Sequence, residues 1–225
     1  MAGPLASVIV PVHNGASFLR DALASALAQD YEPVEVIVVD DGSEDGSGEV
    51  ARSFSVRYVH QANQGAAAAR NTGIDASHGE FLSFLDCDDT WPHDKLSIQI
   101  RYLLEHPEVE CTLGRQEITV APGVPRPPWL VPDRLLGDEG GIPYLSAVIR
   151  RKAVDAAGRF DPAYRTGEDM DWIFRMKAAG VRIEILPDVV LHRRVHGSNK
   201  SNAFTQARLL TSLHGLIRTG RQDDA

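Results

Sequence analysis

Cysteine is nearly missing from this 225-residue chain; the two present are Cys87 and Cys111. Two cannot build a disulfide scaffold, and Cys87 sits inside a run of aspartates, so both are expected as free thiols in a reducing compartment. No apolar run approaches the roughly 20 residues that span a bilayer. Met1 to Ser7 has no basic stretch ahead of an apolar one, so no secretory signal is expected and the default location is the cytoplasm. Positive charge is also scarce. Lys and Arg number 23 against 31 Asp and Glu, a net charge of −8. A net-acidic surface repels phosphodiester backbones and disfavours general nucleic-acid binding. A single anionic small molecule, held by local cations, amides or a metal, stays compatible with that charge.

What is present suits one domain with a core of useful size: 43% of residues are hydrophobic and 24% charged. Along the first ninety residues, strand-like and helix-like patterns alternate. Ser7 to Val12, Glu35 to Val39, Val56 to His60 and Phe81 to Leu85 read as strands. Phe18 to Leu27, with Ser17 as cap, a short piece near Gly48 to Phe54, and Ala66 to Ala76 read as helices. Such alternation implies parallel strands with helical crossovers, in an α/β sheet covered on both faces. The second half is less regular. Lys95 to Glu105, Lys152 to Ala157 and Glu168 to Ala179 read as helices, the last closed by Gly180. Tyr144 to Ile149, Val181 to Leu186 and Val189 to Leu191 read as strands, and Pro122 to Pro143 as irregular. Thr205 to Ile217 reads as an amphipathic helix that packs on the domain. Contact with a second copy or with a membrane surface is its alternative use.

In open α/β sheets, ligands bind outside the carboxyl ends of the strands. The polar clusters stand there. Asp86-Cys87-Asp88-Asp89 follows the fourth strand, and carboxylates this close repel one another unless a cation neutralises them. Mg²⁺ or Mn²⁺ suits such oxygen ligands, often together with substrate phosphates; a solvated acidic turn capping the next helix is the competing reading. Asp40-Asp41-Gly42-Ser43 follows the second strand. It could accept hydrogen bonds from a base or ribose, or simply form a turn. Asn63-Gln64-Gly65 precedes small residues that allow close backbone approach, and Arg70 offers a fork for phosphate or for a carboxylate. Glu168 and Asp169 open a helix, where acids favour the dipole, and one of them could serve as a general base. His192 and His196, four apart beside Arg193, Arg194 and Lys200, could meet a metal or a diphosphate.

Taken together, these segments resemble family 2 glycosyltransferases of the GT-A fold. The segments are Ser7 to Asn14, Val39 to Ser43, Ala69 to Gly73, Leu85 to Asp89, Phe160 to Pro162, Gly167 to Asp169 and Arg194 to Asn199. The resemblance runs to about Ser201. It implies a donor-binding half over about 1–93 and an acceptor and catalytic half over about 94–203, with 204–225 as terminal helix and tail. It implies a nucleoside-diphosphate-sugar donor, a UDP-sugar being favoured, and transfer with inversion to an unidentified acceptor hydroxyl. Pro11 and His13 would lie against the base. Asp41, with Asp40, would bind it, and Arg70 would brace the donor site. Asp86-Cys87-Asp88 would form the DxD motif, with Asp88 on the metal and Asp86 near the ribose. Asp89 leaves that assignment open by one position, and His192 or His196 could complete the site. Asp169 would be the base, with Glu168 as the fallback. A nucleotidyltransferase and a catalytically silent nucleotide-sugar-binding module are the rivals. The former would more naturally carry a basic glycine-rich loop where His13-Asn14-Gly15-Ala16-Ser17 stands without lysine.

Overall fold

The computed structural model describes residues 3–126, 144–164 and 167–199. Among the described residues, seven strands form one sheet. They are β1 (Ala6–Val12), β2 (Val34–Asp41), β3 (Arg57–Gln61), β4 (Phe81–Phe84), β5 (Cys111–Val120), β6 (Val148–Arg150) and β7 (Ile183–Val195), in the spatial order β3-β2-β1-β4-β6-β5-β7. The helices are α1 (Ala16–Leu27), α2 (Ser47–Arg52), α3 (Ala66–Ala76), α4 (Lys95–Glu105), α5 (Arg151–Ala157) and α6 (Glu168–Ala178). Strand pairing is parallel except at β6, which runs antiparallel to β4 and β5.

Alternating side chains of the inner strands feed two apolar layers. On one face Val8, Val10 and Val12 of β1 meet Leu19 and Leu23 of α1 and Leu96, Ile100 and Leu103 of α4. On the other, Ile9, Ile37 and Val39 meet Ile74 of α3, Val154 of α5 and Trp172, Ile173 and Met176 of α6. Burial on both faces explains why these strands are apolar without alternation. Gly73 lets α3 lie close on the sheet, since a Cβ there would run into Ile9.

Most elements fall where the sequence places them, and Ala66–Ala76 matches to the residue. Ser17 does not cap α1. The helix is capped from another segment: Asp45 Oδ2 accepts from Ala16 N–H at 2.9 Å, and Ser47 Oγ accepts from Gly15 N–H at 3.0 Å. Tyr144–Ser146 is a short 3₁₀ turn ahead of β6 rather than strand. The two strands expected over Val181 to Leu191 are parts of β7, and its partner β5 lies in a segment where no strand was expected. Most of the proline-rich stretch and the terminal helix lie outside the described residues. No helix among the described residues is long and apolar enough to cross a membrane.

Strand order turns over at β1: β2 lies on one side and β4 on the other, which opens a crevice beyond their carboxyl ends. The loops after β1, β2 and β4 meet there.

Candidate active site

β2 ends in two aspartates that alternation sends to opposite sides. Asp41, 4% exposed, grips the loop after β3. Its Oδ1 accepts from Gln61 Nε2 and from Gln64 N–H, and its Oδ2 from Gly65 N–H, each at 2.8 Å. Asp40 faces α2 instead, accepting from the Tyr58 hydroxyl at 2.7 Å and from Ser43 N–H at 2.8 Å. Burial works against its charge, but those hydrogen bonds outweigh it and hold the carboxyl below the usual range. Asp40 is thus placed as a brace for the Asp41–Ser43 turn, apart from Asp41. Ser43 Oγ accepts from Asn14 N–H at 3.0 Å and Asn14 Oδ1 accepts from Glu44 N–H at 2.8 Å, which fixes Asn14 at φ 54°. His13 Nδ1 lies 2.9 Å from the Asp41 carbonyl, so that nitrogen carries the proton, and Nε2 then accepts from Asn63 Nδ2 at 3.0 Å. Pro11 is buried in β1 opposite Val39.

Arg70 is the hinge pin of the crevice. The small residues at the start of α3 bring its side chain inward, where the residue is 5% exposed. One terminal nitrogen donates to Glu168 Oε1 at 2.7 Å and the other to Asp86 Oδ1 at 2.9 Å. The guanidinium also lies over the Phe160 ring at 5.6 Å. Burial opposes its charge, but Asp86, Glu168 and Asp169 outweigh burial and push its pKa further up. The β4 exit and the start of α6 are thereby tied through one cation. Asp169 follows Glu168 and accepts from Met170 N–H at 2.8 Å. Burial raises its carboxyl; Arg70 pulls it down, while Glu168 and Asp86 push it up. Asp171, the third acid of that turn, is spent on Arg175 at 2.9 Å. Between the loop and α6 lies a cavity of about 150 Å³ lined by Asn63, Gln64, Gly65, Pro162, Tyr164 and Glu168.

Asp86, Asp88 and Asp89 present ligand oxygens within 4.8 Å of one another. Asp88 Oδ2 meets His196 Nε2 at 3.0 Å and accepts from Asn199 Nδ2 at 2.9 Å. Asp89, 3% exposed, accepts from Arg194 N–H at 2.8 Å. Burial, then repulsion from Asp86, raises Asp88, with His196 working in the other direction. Burial, then repulsion from Asp88 and Asp86, pushes Asp89 up to about 8. Asp88 and Asp89, whose ionisation burial and the neighbouring charge of Asp86 disfavour, with Asp88 already paired to an imidazole, fit a divalent cation, which would relieve that repulsion. Asp86, Asp88 and Asp89 would hold it, with His196 beside them. Cys87 is packed away from that role: its sulfur occupies the space beside Gly15, and burial with the flanking aspartates pushes the thiol up. The structure separates the two histidines. The backbone of His192 pairs with Thr90, but its imidazole lies on the exposed side, 3.6 Å from Glu117. The imidazole of His192 is thus directed to Glu117, whereas His196, beyond the end of β7, reaches Asp88.

The centre also draws on residues that sequence reading left out. Gln61 and Tyr58 hold the two aspartates of β2, and Phe18 stacks on His196 with ring centroids 4.2 Å apart. Phe18 fits the helical spacing of α1, so nothing in the pattern marks it off from core residues.

The model of the family described as "Glycosyl transferase family 2" matches residues 7–153. The chain belongs to glycosyltransferase family 2. An uncharacterized glycosyltransferase of Rickettsia felis is 34% identical over 236 residues, 95% of this chain but 39% of that protein. The glycosyltransferase GlyA of Streptococcus pneumoniae is 39% identical over 105 residues, 44% of this chain and 15% of that one. This family 2 chain therefore spans well under half the length of those relatives. Among solved structures, S. aureus TarS in complex with UDP-GlcNAc superposes with a TM-score of 0.75 at 22% identity, covering 96% of this chain and 65% of that one. The mannosyltransferase PcManGT from Pyrobaculum calidifontis, in complex with GDP-Man and Mn²⁺, gives 0.68 at 24% identity, covering 100% and 68%. Both likenesses establish the GT-A fold.

Proposed function

We propose that this domain transfers a sugar from a nucleoside-diphosphate sugar to an acceptor hydroxyl with inversion at the anomeric carbon. The observation that carries the reading is the Arg70 bridge, which ties the acidic cluster at the β4 exit to the carboxylates that open α6. A donor whose diphosphate lies at Asp86, Asp88 and Asp89 then has its anomeric carbon within reach of a base on α6. When bound there, Mn²⁺ or Mg²⁺ would neutralise charge developing on the leaving diphosphate.

Asp169 takes the acceptor proton as the acceptor oxygen forms its bond to the anomeric carbon. The bond from that carbon to the diphosphate oxygen breaks, and its electron pair leaves with the nucleoside diphosphate. Asp169 must be ionised to act, and Arg70 favours that state against burial. His13 and Asp41 offer the base a polar wall, with Pro11 and Cys87 packed behind it and Asp40 bracing the turn. UDP is the favoured nucleotide; TarS was solved with UDP-GlcNAc, whereas PcManGT was solved with GDP-Man. The site of action is the cytoplasm.

Incubation with a panel of UDP- and GDP-sugars and acceptors, followed by product analysis, tests the reading. Free nucleoside diphosphate and an inverted glycoside are expected, whereas release of pyrophosphate would overturn it. Asp169→Asn should keep donor binding and lower kcat by about a hundred- to ten-thousand-fold. Full activity in that variant would remove Asp169 from the role of base.

A further inference from the structure

Phe18 is an aromatic residue of α1 that neither apolar layer contains. The buried stripe of that helix is Leu19, Ala22, Leu23 and Ala26, and both core clusters are built without Phe18. Its ring is used elsewhere. The imidazole of His196 stacks on it at 4.2 Å with an interplanar angle of 28°, and the Arg194 guanidinium lies over it at 5.4 Å. Arg194 is in turn held by Asp21, one helical turn along α1, at 3.2 Å. The edges of the His196 ring are set as well. Nδ1 lies 2.9 Å from Ser198 Oγ and Nε2 lies 3.0 Å from Asp88 Oδ2. The turn that carries Ser198 is closed by Asn199, which accepts from His196 N–H and donates to both Asp88 and the Arg194 carbonyl.

A stacked ring can slide or flip unless its plane and both nitrogens are held, and second-sphere contacts of this kind orient groups at metal centres. We propose that Phe18 and Ser198 are positioning residues for the acidic centre: Phe18 sets the plane of His196, Ser198 fixes its rotation, and His196 thereby holds the Asp88 carboxylate in its place. The proposal rests on the reading that Asp88 belongs to a cation site. It predicts that part of the site's affinity resides in α1, an element that supplies no ligand.

Binding of Mn²⁺, followed by the loss of its free-ion electron paramagnetic resonance signal, is the test, run with Mn²⁺ alone and with UDP or GDP added. Phe18→Leu should raise the Mn²⁺ dissociation constant about tenfold, and Phe18→Tyr, which keeps the ring, should restore it to within about twofold. Ser198→Ala, at an exposed turn, should weaken binding in the same direction and serves if Phe18→Leu does not fold. Thermal midpoints of Phe18→Leu and Phe18→Tyr measured without metal separate positioning from general damage. If Asp88→Asn loses Mn²⁺ while Phe18→Leu and Ser198→Ala bind like wild type, the positioning role is overturned and the cation reading stands. If Asp88→Asn takes up Mn²⁺ as wild type does, the cation reading fails and the positioning role fails with it.

Discussion

Glu168 and Asp169 are neighbours with different surroundings, and the difference separates their chemistry. Glu168 is committed to Arg70 at 2.7 Å. Asp169 carries no such bond; its carboxyl is raised by burial and by the charge of Glu168, against the pull of Arg70. Glu168→Gln, whose amide oxygen still accepts from Arg70, should therefore keep activity and move the acidic limb of the kcat/KM profile to lower pH, because one source of the upward shift is gone. Loss of activity at every pH would reassign the base to Glu168. The same logic applies to protons on the acidic cluster. Asp88 and Asp89 are both raised, Asp89 to about 8, so at neutral pH a bound cation displaces protons. Mn²⁺ binding followed calorimetrically in buffers of different ionisation heat should release protons at pH 7 and fewer at pH 9. Equal heats in all buffers at pH 7 would contradict those raised values. The pairs Asp40 and Asp41, and His192 and His196, were visible in the sequence as clusters only. Which member faces the crevice depends on strand register and on where β7 stops.

At the scale of elements, α3 and α4 carry the sharpest expectations. Gly73→Ala pushes a methyl into Ile9 and should cost about 1–3 kcal/mol in chemical denaturation; a stability equal to wild type would mean that α3 can lift from the sheet freely. In α4, Lys95 is fully buried, with Nζ 2.6 Å from Gln99 Oε1, 3.1 Å from the Ser146 carbonyl, 3.2 Å from Ser83 Oγ and 4.4 Å from the centre of the Trp91 ring. Burial depresses its pKa well below the ordinary value. Between the folded and unfolded values the unfolded chain binds the extra proton, so the burial penalty on this group fades and stability rises as pH climbs toward the unfolded value. The slope is at most about 1.4 kcal/mol per pH unit. Lys95→Met should remove that slope as pH approaches the unfolded value, and identical slopes would refute it. Over the alkaline range unfolded thiols and then unfolded tyrosines ionise while folded Cys111 and Tyr58, raised to about 12, do not, which opposes that rise. β1, β2 and β4 and the helices α1 and α3 were legible because a strand buried on both faces, or a helix with one buried side, is a local signal. β5 escaped because its two halves differ, Cys111 to Gly114 buried and the rest alternating. The cap of α1 escaped because Asp45 and Ser47 come from the segment that opens α2.

For the whole molecule, the order of strands decides what the polar residues can do. β1 stands between β2 and β4, and that single fact gathers His13, Asp41 and Asp86 to Asp89 at one edge. The late antiparallel insertion of β6 then lets β5 and β7 return the chain to the same edge, where His196 and Asn199 close on Asp88. The family and the early half of the site were readable because their motifs lie at strand ends. The Arg70 bridge, the Phe18 stack and the split of the histidines were not, because each joins segments that only the folded sheet brings together. The central claim is that the acids after β4 hold a cation against a donor's diphosphate. Crystals grown with Mn²⁺ and UDP, with diffraction recorded at the manganese absorption edge, test it directly. An anomalous peak within coordination distance of the Asp88 carboxylate and of the diphosphate is predicted. Nucleotide bound with its diphosphate elsewhere, and no peak beside Asp86, Asp88 and Asp89, would contradict the account.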